Sequence, residues 1–207
     1  MTADEILVKK VQNCDLTAYG ELVQRYQDRV YSLAVRMLNT PEDARDASQE
    51  IFIKVYKSLP GFDFRASFAT WLYRVSANVC LDFLRRRGKE QKRSEPLREN
   101  RIRADCLADN SQGPEEALLE KESIRELRQA VDTLPDSYRI ALVLHHYQEL
   151  SYKQVAEVMD LPEKTVATRI HRAKMMLKEI LLGGEGSELP ENKKSIKQIP
   201  GRRITIL

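Results

Sequence analysis

Hydrogen-bond donors are concentrated in residues 162–182 of this 207-residue chain. The stretch holds five Lys or Arg against two Glu, and Thr168, His171 and Arg172 fall on one face of a predicted helix. Cationic and hydroxyl donors on such a face suit the phosphates and base edges of a DNA major groove. The alternative is an ordinary helical hairpin with a solvated polar face.

The elements that would position these donors have the order of a helix-turn-helix. Ser151 and Gln154 form a capping-box pattern at the start of a short helix. Asp160-Leu161-Pro162 then interrupts the register, because Asp tolerates a left-handed backbone and Pro suits a first helical turn. In the second helix, apolar residues at steps of four and three predict one buried face, made of Val166, Ile170, Ala173, Leu177 and Ile180.

Aromatic rings form a second group with possible chemistry. Eight of the fourteen aromatic residues lie between Phe52 and Phe83, beside basic side chains. Rings in that setting suit unstacked bases, at about 1–3 kcal/mol per stack, but rings at helical spacing more often belong to a core. Phe68 is therefore predicted to be structural. Packing accounts less readily for Phe62 and Phe64, which lie on a predicted loop, PGFDFRASFA.

An acidic helix start forms a third feature, at Thr40-Pro41-Glu42-Asp43. Residues 42–50 contain four acids and one Arg, a balance that repels a phosphate backbone. In a DNA-binding protein this surface is a candidate for a protein partner. A solvated acidic turn is the plainer interpretation, and composition alone favours it.

The remaining composition narrows the class of protein. Three cysteines, Cys14, Cys80 and Cys106, are far apart and odd in number, which fits a reducing cytosol rather than a disulfide framework. Adjacent His145 and His146 point in different directions, so we predict surface or packing roles for them. None of the cysteines lies in a CxxC pair or beside a histidine, so no metal site is predicted. The N-terminus lacks a secretory apolar region and no apolar run approaches a membrane span, which predicts a soluble, cytoplasmic protein with no membrane insertion.

The order of elements predicts an all-α fold of two small helical domains joined by a flexible linker, the second ending in the helix-turn-helix. Basic residues give way sharply to acidic ones across the predicted linker. The predicted boundaries are 1–87 for the first domain, 88–113 for the linker, 114–182 for the second domain and 183–207 for a disordered tail.

Two segments together resemble a known family. The segments DARDASQEIFIKVYKSLPGF and FATWLYRVSANVCLDFLRRR resemble the second conserved region of bacterial sigma factors, and LPDSYRIALVLHHYQELSYKQVAEVMDLPEKTVATRIHRAK resembles the fourth. With a short linker between them, the chain is similar to an extracytoplasmic-function (ECF) sigma factor over about residues 5–182. The resemblance implies a factor that directs core RNA polymerase to specific promoters, with a stimulus-dependent set of genes.

The resemblance also implies partners and sites. The acidic helix would dock on the clamp of the largest polymerase subunit, with a further contact to the flap region, and an anti-sigma factor would hold the protein inactive. The implied polymerase-binding residues are Asp43, Asp46, Gln49, Glu50 and Ile53. The residues implied to meet the −10 element, first as duplex and then as a single strand with a flipped base, are Phe62, Asp63, Phe64, Arg65, Ser67, Trp71, Arg74, Asn78 and Arg85. The residues implied to read the −35 element are Lys164, Thr165, Ala167, Thr168, Arg169, His171 and Arg172.

Two other functions compete with this one. A stand-alone repressor or activator would rest on the helix-turn-helix alone, would bind an operator without polymerase, and would leave residues 62–87 unexplained. A DNA-processing enzyme such as a recombinase would need a nucleophilic Ser or Tyr or a carboxylate cluster in a recognisable motif, and none stands out. The sequence therefore predicts no catalytic residue and no cofactor.

Overall fold

A computed structural model describes residues 2–93 and 125–182 of the chain. The first unit contains α1 (Ala3–Gln12), α2 (Leu16–Leu38), α3 (Pro41–Ser58), a 3-10 turn (Leu59–Gly61) and α4 (Phe68–Arg93). The second contains α5 (125–133), α6 (Asp136–His146), α7 (Tyr152–Met159) and α8 (Glu163–Leu181). The described residues contain no strand, and the all-α prediction is confirmed.

Caps and left-handed residues set the limits of α2 and α3. The Asp15 carboxylate accepts from the backbone N–H groups of Thr17 and Ala18, at 3.0 and 3.2 Å, and so caps α2. Asn39, at φ 65°, ends that helix. At α3, Thr40 takes the cap position, but its hydroxyl donates to the Asp43 carboxylate at 2.6 Å instead of capping a backbone N–H.

The first unit is built around α2, which packs against α1, α3 and α4. Its core combines the apolar faces of these helices, with Leu33, Ile51 and Leu72 fully buried. In the second unit, α6, α7 and α8 enclose Ile140, Leu144, Val155 and Ile170, among other residues. In both units the buried residues recur at the spacing of a helix, which places them on one face of each helix.

Two sequence predictions about these helices need correction. Ile180 was predicted on the buried face of α8, but it is 44% exposed, because every residue of the helix beyond Leu177 lies on the surface. Helix α4 continues to Arg93, inside the range predicted as linker. The rest of that linker, the predicted start of the second domain and the tail 183–207 lie outside the described residues.

The two units contact each other directly. Helix α6 packs against α2, and α7 packs against α4. The buried Arg139 guanidinium of α6 donates to the Met37 carbonyl at the end of α2, at 3.0 Å. Gln148 donates across the same boundary to the Arg29 carbonyl at 3.2 Å. The guanidinium of Arg36 lies 3.9 Å from the ring centroid of Tyr147.

Candidate nucleic-acid interface

The helix-turn-helix is built as the sequence predicts. The Ser151 hydroxyl accepts from the Gln154 N–H at 3.3 Å, and the Gln154 side chain accepts from the Ser151 N–H at 2.9 Å, which completes the capping box. Asp160 ends α7 in the left-handed region, at φ 51°. Val166 and Ile170 then anchor α8 in the core, so the opposite face of α8 is turned outward.

That outward face carries the predicted −35 residues. Lys164, Thr168, His171 and Arg172 are exposed, whereas Thr165, Ala167 and Arg169 are half-buried. The Thr168 hydroxyl donates to the Lys164 carbonyl at 2.8 Å, so its donor is occupied and it presents a methyl group and an acceptor to a ligand. The arrangement offers cationic donors and one hydroxyl acceptor along a single helix face.

A recess of about 450 Å³ lies beside this face and contains a residue that the sequence did not single out. Tyr138 of α6 lines it together with Pro162 and residues at the start of α8, among them Arg169 and Arg172. Partial burial lowers the pKa of Arg169, and the nearby Tyr138 acts in the opposite direction. Tyr138 follows Pro135 on the preceding helix, and no sequence signal links it to α8.

The predicted −10 loop is more tightly packed than its sequence indicates. Phe62 is only 6% exposed, and its ring centroid lies 4.9 Å from that of Phe64, 5.1 Å from Trp71 and 6.3 Å from Phe68. Packing therefore does account for Phe62, contrary to the sequence interpretation, because the loop folds back over the start of α4. Phe64 is half-buried.

The exposed part of the loop is polar. Asp63, Arg65 and Ser67 all face solvent. The Asp63 carboxylate pairs with the Arg65 side chain at 2.7 Å and also accepts from the Arg65 N–H at 3.2 Å. Ser67 caps α4 by accepting from the Thr70 N–H at 3.1 Å. The loop thus presents polar groups at its surface, above a layer of packed aromatic side chains.

The predicted −10 residues on α4 lie beside the second unit. Trp71 is 7% exposed, and Arg74 and Asn78 are half-buried. The Arg74 guanidinium donates to the Glu157 carbonyl of α7. Further along α4, Arg85 is exposed and pairs with Asp82 at 3.1 Å. In this arrangement α7 covers part of the α4 face on which the predicted residues lie.

The acidic helix α3 divides into two groups. Asp46 and Gln49 are exposed, and Ile53 is 54% exposed, so the three side chains share one accessible face. Glu50 pairs with Lys54 at 2.7 Å and with Arg86 at 3.2 Å. Burial opposes their effect, but hydrogen bonds from these two cations hold the pKa of Glu50 below its usual range.

The other predicted acid on α3 is also paired. Asp43 lies 3.7 Å from Arg87. Arg86 and Arg87 are therefore turned toward α3, whereas Arg85 pairs with Asp82 on α4 itself.

Histidines and cysteines form no metal-ligating group within the described residues. The His145 Nδ1 lies 2.8 Å from the Leu150 carbonyl, and its ring packs against Tyr152 at 4.6 Å, so the packing role predicted for it is confirmed. His146 is exposed. Among the helices of the described segments, none has the length and apolar character that crossing a bilayer requires.

Comparison with known proteins identifies the protein family to which the chain belongs. The family model for Sigma-70 region 2 matches residues 22–90, and that for Sigma-70, region 4 matches residues 124–177. The chain therefore has the two conserved regions of a sigma factor, in the predicted order.

Individual relatives narrow the class. The ECF RNA polymerase sigma factor SigW of Bacillus subtilis is 34% identical over 84% of this chain and 94% of its own length. The RNA polymerase sigma-H factor of Pseudomonas aeruginosa is 35% identical over 86% of this chain and 93% of its own length. The ECF RNA polymerase sigma-E factor of Escherichia coli K12 is 34% identical over 83% and 90%.

Solved structures agree with this assignment. CnrH in complex with the cytosolic domain of CnrY is similar at a TM-score of 0.64 and 26% identity, over 88% of this chain and 99% of that one. The sigma factor RpoE from Bartonella quintana, at 18% identity and a TM-score of 0.62 over 79% of this chain and 96% of that one, has the same fold. The chain belongs to the ECF family of RNA polymerase sigma factors. It is a transcription-initiation factor that acts with RNA polymerase at specific promoters, and it is not an enzyme.

Proposed function

We propose that the three surfaces described above divide the work of initiation, with α3 holding core polymerase, the 62–67 loop and α4 taking the −10 element, and α8 reading the −35 element. The observation that carries this proposal is the placement of the surfaces. A cation-rich helix face lies on one unit, while a polar loop over aromatic rings and an acidic helix lie on the other. One chain thus offers contacts to duplex, to single strand and to protein.

Polymerase binding is assigned to the exposed face of Asp46, Gln49 and Ile53. An apolar side chain that is more than half exposed, on the same helix face as an exposed carboxylate, suits a protein partner better than DNA. Asp43 and Glu50 contribute negative potential, but their pairing with α4 cations also ties α3 to α4. Exposed Ile180 and Leu181 at the end of α8 offer a second apolar contact, to the flap region.

The −35 contacts divide by exposure. Arg172, His171 and Thr168 are the exposed residues that would reach base edges, and half-buried Arg169 beside Tyr138 suits a phosphate. At the −10 element, Arg65 and Ser67 are the accessible polar groups of the loop. Ring stacking on Phe64 would stabilise an unpaired base.

A protein partner that keeps the units closed fits the same arrangement. CnrH was solved with the cytosolic domain of CnrY, and RpoE with the anti-sigma factor NepR. We expect an anti-sigma factor for this chain, acting in the cytoplasm, where core polymerase and the promoter meet.

In vitro transcription with purified core polymerase, followed by mapping of start sites, tests the proposed function. We expect starts at a defined promoter set, and none without the protein. Asp46→Ala with Gln49→Ala should weaken core binding and reduce transcripts together. Glu21→Ala with Gln24→Ala, exposed on α2 at the same spacing, is the matched control. A protein that represses or activates its target without binding core polymerase would instead be a stand-alone regulator.

A further inference from the structure

The first helix is hydrogen-bonded to the start of the loop that we assign to the −10 element. Gln12, the last residue of α1, donates its side-chain amide to two carbonyls, Leu59 at 3.1 Å and Phe62 at 2.9 Å. These carbonyls flank the 3-10 turn Leu59–Gly61, which leads directly into the loop. The Nε2 group has two hydrogens, and one is available for each carbonyl.

The loop carries backbone strain just beyond these contacts. Phe64 has φ 62°, a left-handed conformation that a bulky side chain rarely adopts. Such a conformation persists only where its surroundings hold it. The Phe62 ring packs edge-on against Phe64, and the Lys9 ammonium lies 5.7 Å from the Phe64 ring centroid. Lys9 and Gln12 are three residues apart and so share a face of α1.

We infer that Gln12 is a positioning residue for single-strand capture, which it would assist by fixing the shape of the loop in advance. The inference rests on the proposed role of the loop. Gln12 is half-buried, and its amide donates to two backbone carbonyls of the loop region. It therefore acts through the loop rather than by touching the strand. A loop that is already ordered loses less conformational freedom on binding, and its affinity is correspondingly higher. Helix α1 precedes residues 22–90, where the region 2 model matches.

The test uses the full chain assembled with core polymerase. The probe is a fluorescent single-stranded oligonucleotide with the non-template sequence of the −10 element, taken from a promoter mapped with this holoenzyme. Gln12→Met keeps the length of the side chain and removes the donor. We expect the variant to bind the oligonucleotide about tenfold more weakly, because it loses the two hydrogen bonds that order the loop before binding. We also expect weaker discrimination when each base of the element is substituted in turn, because loop shape decides which base fits.

A matched control and a rescue separate positioning from folding. Gln24→Met makes the same replacement on the exposed face of α2 and should behave as wild type. Gln12→Lys returns a donor on a stem one atom longer and should recover most of the affinity and discrimination. Affinity for core polymerase should stay within about twofold for all three variants.

Three outcomes would overturn the inference. Gln12→Met could match wild type in affinity and discrimination. It could instead lose strand binding and core binding in equal proportion, which would make Gln12 merely structural. Finally, the wild-type holoenzyme could show no preference for the strand over a scrambled oligonucleotide. That last result would remove the proposed −10 role of the loop itself, whereas the first two leave that role intact.

Discussion

Three aromatic residues of the first unit belong to its core and also lie beneath the loop that we assign to the −10 element. Phe62, Phe68 and Trp71 lie within 5.1 to 6.3 Å of one another, centroid to centroid, in tilted and edge-on arrangements. Such pairs add about 0.5–1.5 kcal/mol beyond the area that they bury. The rings beneath the loop are therefore also part of the core, and we expect substitutions there to change stability and DNA binding together.

Phe62→Ala is expected to destabilise the protein by about 3–5 kcal/mol, since it leaves a cavity among three packed rings. Urea unfolding followed by circular dichroism measures this. Phe64→Ala, at a half-buried position, should cost clearly less. Equal losses in the free energy of unfolding for the two variants would contradict the burial of Phe62.

Two cysteines should react very differently with thiol reagents. Burial raises the pKa of the Cys80 thiol to about 12, and the side chain is fully enclosed, so it stays protonated and inaccessible at neutral pH. Cys14 is exposed. In a Cys106→Ser background, we expect one rapid labelling event in native buffer and a second only in denaturant. Rapid labelling of both thiols in native buffer would contradict the burial of Cys80.

Arg169 and Arg172 should differ in what their loss does to DNA binding. Arg169→Ala should weaken binding about equally across −35 sequences and reduce the slope of log affinity against log salt by about one, as for a lost phosphate contact. Arg172→Ala should change base preference at one position, at about 1–3 kcal/mol. Holoenzyme binding to duplexes substituted along the −35 element, at several salt concentrations, distinguishes the two.

At the scale of the helix, local signals decided most of what could be predicted. The capping box at Ser151 and the left-handed Asp160 are properties of a few neighbouring residues, and both lie where the sequence predicts them. Contacts between distant segments could not be predicted in this way. Gln12 meets Leu59 and Phe62 across separations of 47 and 50 residues, and Tyr138 meets α8 only through the packing of α6. A pairing that depends on tertiary packing leaves no periodic trace in one sequence.

The Asp15 cap should make the stability of α2 depend on pH. A hydrogen bond from the Ala18 N–H, and hydrogen bonds from the side chain and the N–H of Thr17, lower the pKa of this carboxyl below its usual value. A group whose folded-state pKa is depressed stabilises the protein above its unfolded-state pKa, and that contribution is lost as the pH falls through the folded-state pKa. Asp15→Asn keeps an acceptor that does not titrate.

We therefore expect the difference in free energy of unfolding between wild type and Asp15→Asn to shrink as the pH falls below the ordinary range of an Asp carboxyl. Urea titrations of both proteins across that range measure it, and the other carboxyls cancel in the difference. A difference independent of pH would mean that the carboxylate does not cap α2.

At the scale of the whole molecule, the two units meet through helix packing and through a few specific polar contacts. Arg139 donates to the Met37 carbonyl across the boundary, and to Asp132 and Leu134 carbonyls within its own unit, so opening leaves it two of these three partners. The Gln148 bond adds about 1 kcal/mol and the Arg36–Tyr147 contact about 0.5–1 kcal/mol. We expect these contacts to hold the units together in the free protein and to be exchanged for contacts with polymerase in the holoenzyme.

Energy transfer between two dyes should report this opening. One dye is placed on Cys14, the other on a cysteine introduced at exposed Lys178, in the Cys106→Ser background with Cys80 buried. We expect high transfer in the free protein and a decrease when core polymerase and promoter duplex are added, because α7 must leave α4 before Arg74 and Asn78 reach DNA.

Tyr147→Ala with Gln148→Ala should lower transfer without polymerase, whereas Lys153→Ala, exposed on α7, should not. If the free protein already shows the low transfer of the holoenzyme, the closed arrangement is not its resting state, and α4 would be open to DNA from the start.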